Sequence, residues 1–274
     1  MTVTIDNDLA VRADVSPSLH PDALAHLGEA LDREGTIGRA AYHDARDALG
    51  TVYRTLGAIA DAEAALQAHT NAASPARRHQ LADGRSAYLG NLRLQDGRVR
   101  SFGSPDEEFA EAAGEALHRA TQAIDRRLGT LQRHHEALQT RVAEALRPSE
   151  PVPVQQEVRA YVRSLRDNKR LEFLTTAAKA GDRQTIGSVL AGPLYLSGIN
   201  QGNADLVRST AARAIVPLDW EQMNSVGRAI EAVQTAGARL VTKIGELEQY
   251  RKGTAARVSK AVDGIRKVGA AHAA

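Results

Sequence analysis

The feature that most constrains this chain is a seven-residue repeat over roughly its last fifty residues. One series reads Met223, Ile230, Gly237, Ile244, Arg251, Val258, Ile265. The other, three places later, reads Val226, Val233, Leu240, Leu247, Thr254, Ala261, Val268. This is the a/d pattern of a helix seam, interrupted at Gly237, Arg251 and Thr254. A long helix cannot bury such a stripe against itself, so the stripe must meet other helices, either of this chain or of a neighbouring copy. The predicted interface is Met223, Val226, Ile230, Val233, Leu240, Ile244, Leu247, Val258, Ile265 and Val268. Arg251 interrupts it at an a position, where charge is retained for register or because the seam is open.

Composition agrees with slender helices rather than a thick core. Aromatic residues make up only 4% of the 274, with Trp220 the single tryptophan. That is little material for a stacking nucleic-acid platform, whereas Ala-rich, closely packed helices need far less. There is no cysteine, which excludes disulfides, thiolate metal sites and cysteine nucleophiles. The first fifteen residues carry neither a basic n-region nor an apolar run, and no stretch approaches the roughly 18 apolar residues that span a bilayer, so a protein without signal peptide or membrane span is expected.

Along the chain, residues 1–20 break at Ser16-Pro17 and His20-Pro21 and read as an extended N-terminal arm. A bundle of long helices follows over 21–148. Leu24, Leu27 and Leu31 mark a short helix, and Ala41, Ala45, Ala48, Val52, Thr55, Ile59, Ala62 and Leu66 share one face of a longer one, widened by Leu49 and Leu56. At 86–102 the period changes, and Asp96-Gly97 between short apolar-polar runs predicts one β-hairpin, the only sheet expected. Ser104-Pro105-Asp106-Glu107 supplies a capping box for a helix reaching Pro148. Its heptads are Leu117, Ile124, Leu131, Leu138, Ala145 and Thr121, Leu128, His135, Val142. Histidine at seam position 135 is read as a register-setting polar residue.

The Pro148–Pro153 break opens a small helical module over 149–216, with helices predicted at 154–166, 168–180, 182–190 and 203–215. Pro217 and Asp219 then start a C-terminal helix over 217–274. The fold class expected is mainly α: an elongated helical bundle or coiled coil with a small helical module and one short β-hairpin.

Chemistry is sparse. The sequence holds no phosphate-binding glycine loop, no HExxH, no GxSxG elbow and no EF-hand loop. His134 and His135 are adjacent and point to different helix faces, which is poor chelating geometry. Glu107, Glu108 and Glu111 lie in first turns, where negative charge offsets unpaired amides. No catalytic residue, metal ligand or cofactor site is assigned. Two basic groups stand out. Arg159, Arg163, Arg166, Lys169 and Arg170 recur at three- and four-residue steps, and the segment from Arg239 onward holds eight basic residues against three acidic ones. Of these, Arg159, Arg163, Arg166, Arg170, Arg257, Lys260, Arg266 and Lys267 are candidates for phosphate or acidic-partner contact, against the simpler reading of solvated helix faces.

The stretch Leu171-Glu-Phe-Leu-Thr-Thr-Ala-Ala-Lys-Ala-Gly-Asp182, with Thr185-Ile186, Val189-Leu-Ala-Gly-Pro193 and Tyr195-Leu-Ser-Gly198, resembles a pattern FLxxAxxxGDxxTxxxVLxxPxYLSG. That pattern belongs to small virion-associated proteins encoded among head and tail genes of tailed bacteriophages and related gene-transfer particles. The resemblance covers about thirty residues and carries no active residues. It implies a non-enzymatic structural or assembly protein of the virion (head, portal-core, neck or ejection-related), assembled in the host cytoplasm. Its partners would be itself, as a homo-oligomer, and other structural proteins. The alternative from the residues alone is a DNA-associated helical protein using the basic faces.

Overall fold

The computed structural model describes residues 11–71, 78–80, 86–88, 90–93, 99–102 and 105–271, with side chains over 11–66 and 108–249. The described chain is mainly helical. Eight α-helices follow one another: α1 Ala25–Leu31, α2 Ile37–Asn71, α3 Pro105–Ala145, α4 Val152–Ser164, α5 Asp167–Lys179, α6 Arg183–Leu190, α7 Gln201–Ile215 and α8 Pro217–Ala271. At 35, 41 and 55 residues, α2, α3 and α8 far exceed the ordinary helix of three or four turns. Pro105 sits at the first position of α3, where its missing N–H costs nothing, and α3 ends before Pro148, which cannot continue it. Ser104 and the side chain of Glu107, the two ends of the predicted capping box, lie outside the described residues.

Among the described residues between α2 and α3 are four short strands, β1 Arg78–Gln80, β2 Ser86–Tyr88, β3 Gly90–Arg93 and β4 Val99–Phe102. They form two separate antiparallel ladders, one placing Arg78 opposite Tyr88 and the other Gly90 opposite Phe102. The single hairpin expected over 86–102 is therefore not supported in that form. Residues 86–88 pair backward with 78–80, and the Asp96-Gly97 turn lies outside the described residues. An alternating run is compatible with more than one partner, and its sequence alone does not say which strand it will join.

The chain divides into two compact units, one of Met1–Ala23, Arg46–Leu128 and Ala232–Ala274, the other of Leu24–Ala45 and Gly129–Glu231. This differs from the division by chain order: α2, α3 and α8 each supply one segment to each unit. In the first unit Leu49, Val52, Tyr53, Leu117, Ile124, Val233 and Leu240 are buried. In the second, Leu24, Leu27, Leu31, Leu131, Leu138, Val226 and Ala229 are buried. The module helices α4–α7 enclose their own cluster, with Val162, Leu174, Ile186, Val189, Val207 and Ala211 at its centre.

The N-terminal residues correct a second expectation. Over 11–20 the chain is not a free extended arm: Val15 and Leu19 are buried, and Pro17–Leu19 forms one 3-10 turn. Arg12 holds the segment down. Its guanidinium donates to both carboxylate oxygens of Asp61 at 2.7 Å, to both of Asp14 at 2.7 and 3.0 Å, and to the Gly57 carbonyl at 3.2 Å. Every N–H of the fork is thus engaged. The backbone N–H of Arg12 donates to the hydroxyl of buried Tyr53, whose ring meets His20 edge-on at 4.9 Å.

Candidate interaction surfaces

Along α8 the d series is fully buried as far as side chains are described: Val226, Val233, Leu240 and Leu247. The a series is not. Met223, Ile230 and Ile244 are only half-buried, while Gln222, Ala229 and Ala236, one place earlier, are buried. The seam is thus rotated by one residue from the a/d reading. Alanine is the reason: it adds little to a hydrophobic count, yet its small size lets a neighbouring helix approach closely. Val258, Ile265 and Val268 lie on α8 beyond the described side chains. On α3, Leu117, Ile124, Leu131 and Leu138 are buried and Thr121, Leu128 and His135 half-buried, so one heptad series dominates there too until the last turns, where Val142 is buried and Ala145 half-buried. On α2, Ala41, Ala45, Ala48, Val52 and Ile59 are buried, whereas Ala62 is exposed.

Polar residues punctuate this seam at a few positions. Gln222 is 2% exposed, and its Nε2 has no hydrogen-bond partner. Gly38 of α2 makes room for it: a Cβ there would lie 2.7 Å from the Gln222 carboxamide carbon. Lys243, in the corresponding place three heptads later, pairs with Glu63 at 2.7 Å and Glu246 at 3.1 Å. Burial pulls its ammonium pKa down, but hydrogen bonds to the two carboxylates outweigh this and leave it raised. The two histidines point apart: His134 lies 3.6 Å from Asp44 of α2, while the His135 ring stands opposite Gly227 of α8. Among the described residues, no three His, Asp or Glu side chains cluster closely enough to hold a metal.

The basic face of the module divides in two. Arg170 is spent inside the fold. It donates to Val162 O at 3.1 Å, Arg163 O at 3.1 Å and Leu165 O at 2.8 Å, satisfying the open carbonyls at the end of α4. It also binds the Gly198 carbonyl and Asp167. Arg159 donates to Ser188 O at 2.7 Å and to Gln155. Arg163 and Arg166 remain exposed, and Lys169 pairs with Glu172 at 2.7 Å. Arg257, Lys260, Arg266 and Lys267 fall on α8 past the described side chains.

The motif residues of 171–198 now have local reasons. Gly181, at φ +72°, ends α5: Asp182 N donates to Ala177 O and Gly181 N to Ala178 O, the paired bonds of a Schellman cap. Asp182 then caps α6 by accepting from Thr185 N at 3.0 Å. Gly198, at φ +66°, and Asn200 repeat the device before α7. Gly192 and Gly198 also admit the arginines, since Cβ atoms there would lie 2.7 Å from Arg159 Cζ and 2.9 Å from Arg170 Nη1. Tyr195, within the same pattern, is 71% exposed on its 3-10 turn.

Among the described residues, no helix is long and apolar enough to cross a membrane. Compared with known protein families, curated proteins and solved structures, the chain matches none.

Proposed function

We propose that the protein is a non-enzymatic structural or assembly component that works through helix-helix contacts, with copies of itself and with neighbouring structural proteins of a tailed-phage particle. The observation that carries this reading is that α8, at 55 residues, is longer than the described helices beside it, α2 at 35 and α3 at 41. The pairs Arg141–Asp219 and His135–Gly227 set α3 antiparallel to α8. Gly237 meets Ile124, and α3 begins at Pro105, so it accompanies α8 to roughly residue 256 at equal rise per residue. From Lys243, opposite Glu63, α2 has only the stretch to Asn71 left. The helix α8 continues to Ala271, and its sequence carries the heptad residues Val258, Ile265 and Val268 over that length. A helix carrying an apolar repeat past the described helices beside it suits a contact with another chain. The resemblance at 171–198 supplies the particle.

The full chain and a truncation after Glu248 decide the matter by light-scattering mass and thermal melting. The full chain is expected to be a multimer, and the truncated chain a monomer with little change in melting temperature. Truncation that lowers the melting temperature without ever changing mass would sink the intermolecular reading. The DNA-associated alternative draws on Arg163, Arg166, Arg257, Lys260, Arg266 and Lys267, because Arg159 and Arg170 are committed within the module. It requires DNA retention that falls steeply with salt. Coding neighbours that specify capsid, portal or tail proteins would support the virion assignment, and metabolic neighbours would remove it.

A further inference from the structure

A cleft of about 560 Å³ lies in the second unit where α3 ends, α6 ends and α8 begins. Its volume is that of a small-molecule site. The turn after Leu146 brings the α3 terminus against Gly187 so closely that a Cβ there would lie 2.6 Å from Leu146 O. That contact leaves Leu146, Leu190, Trp220 and Met223 around one apolar wall. The lining also holds two guanidinium groups, Arg147 and Arg208, and no carboxylate. Arg147 is exposed, and Arg208 donates one nitrogen to Asp205 at 2.7 Å, outside the lining. An apolar wall beside two guanidinium groups, of which only Arg208 is paired with a carboxylate, selects for an occupant with an apolar chain and a single anionic end.

We propose that this cleft binds a free single-chain carboxylate of medium length, its chain against Trp220, Met223 and Leu190 and its carboxylate at Arg147 and Arg208. This goes beyond the assembly reading, and neither depends on the other. Trp220 is the only tryptophan, so its emission reports directly on the wall. Titration of the full chain with sodium decanoate below its micelle concentration should give a saturable emission change. Octanoate should bind about tenfold more weakly, having lost two methylenes of apolar contact. Decanol, of equal chain length, should bind at least about tenfold more weakly than decanoate, because it lacks the charge-assisted bonds. In the double variant Arg147→Gln, Arg208→Gln the preference for decanoate over decanol should vanish. Ala191→Phe, at the exposed rim, should block both ligands without lowering the melting temperature. Absence of saturation, equal affinity for decanol, preference retained in the double variant, or binding unaffected by Ala191→Phe would each overturn the proposal.

Discussion

The module at α4–α7 and the long helices α2, α3 and α8 are held by different means. In the module, order depends on single positions: a glycine at positive φ, a caps-bearing Asp or Asn, and a half-buried arginine bound to backbone carbonyls. In the long helices, order depends on a pattern. Buried Ala and Leu recur every seven residues, and no one of them has a special conformation. A pattern tolerates substitution and slips easily, so its register must come from the few polar residues on it, here Gln222 and Lys243. Point-by-point order neither slips nor tolerates change.

The contrast can be broken most severely at Gly187. Its missing Cβ would lie 2.6 Å from Leu146 O and 2.8 Å from Pro148 N, both backbone atoms that cannot swing away. Gly187→Ala should cost about 3 kcal/mol in urea unfolding, as overpacking against fixed atoms does. Arg170→Met should cost about 2 kcal/mol, because it orphans the carbonyls of Val162 and Leu165, and lysine should not rescue it because it lacks the fork. Values near zero for both would mean that the module too is held by pattern alone.

On the long helices the opposite sign is expected. Gln222→Leu removes a buried amide nitrogen that has no partner and should raise stability by about 1 kcal/mol while loosening register. A loss of stability in the same unfolding measurement would show that Gln222 holds more than register.

The smallest effect concerns the N-terminal segment and tests whether it belongs with the point-specified regions. Hydrogen bonds from Arg12 hold the Asp14 and Asp61 carboxyls below the ordinary carboxylate range. A group lowered on folding contributes stability that is complete above its unfolded pKa, about 3.9, and lost as pH falls through the depressed folded value. Amide exchange at Val15 and Leu19 should therefore be steady from neutral pH to about 5 and accelerate only in stronger acid, once intrinsic exchange is removed. A flat profile throughout would show that burial of Val15 and Leu19 alone holds the segment.

Much of the helix layout was legible because caps and breakers act within a few residues. Asp182 after Gly181, Pro105 at the start of α3 and Pro148 past its end mark boundaries whatever the rest of the chain does. The interaction surfaces were legible only in part. The heptad told which helices carry a seam, but small alanines at 229 and 236 hid its centre, and Met223 and Ile230 drew the reading one residue aside. The Arg159–Arg170 face showed its charge and not its fate, since the carbonyls that bind Arg170 lie up to twenty-eight residues away.

By itself, then, the sequence determined the helical class, the punctuation of the module and the existence of a repeating apolar stripe, because each follows from local backbone preference or from periodicity. Only the tertiary structure decided which face of α8 is buried, that Arg12 reaches Asp61, that 86–88 pairs with 78–80 and that Gly38 accommodates Gln222. Those outcomes depend on close approaches between residues far apart in the chain, where a single methyl group or a one-residue rotation changes the partner without changing the pattern.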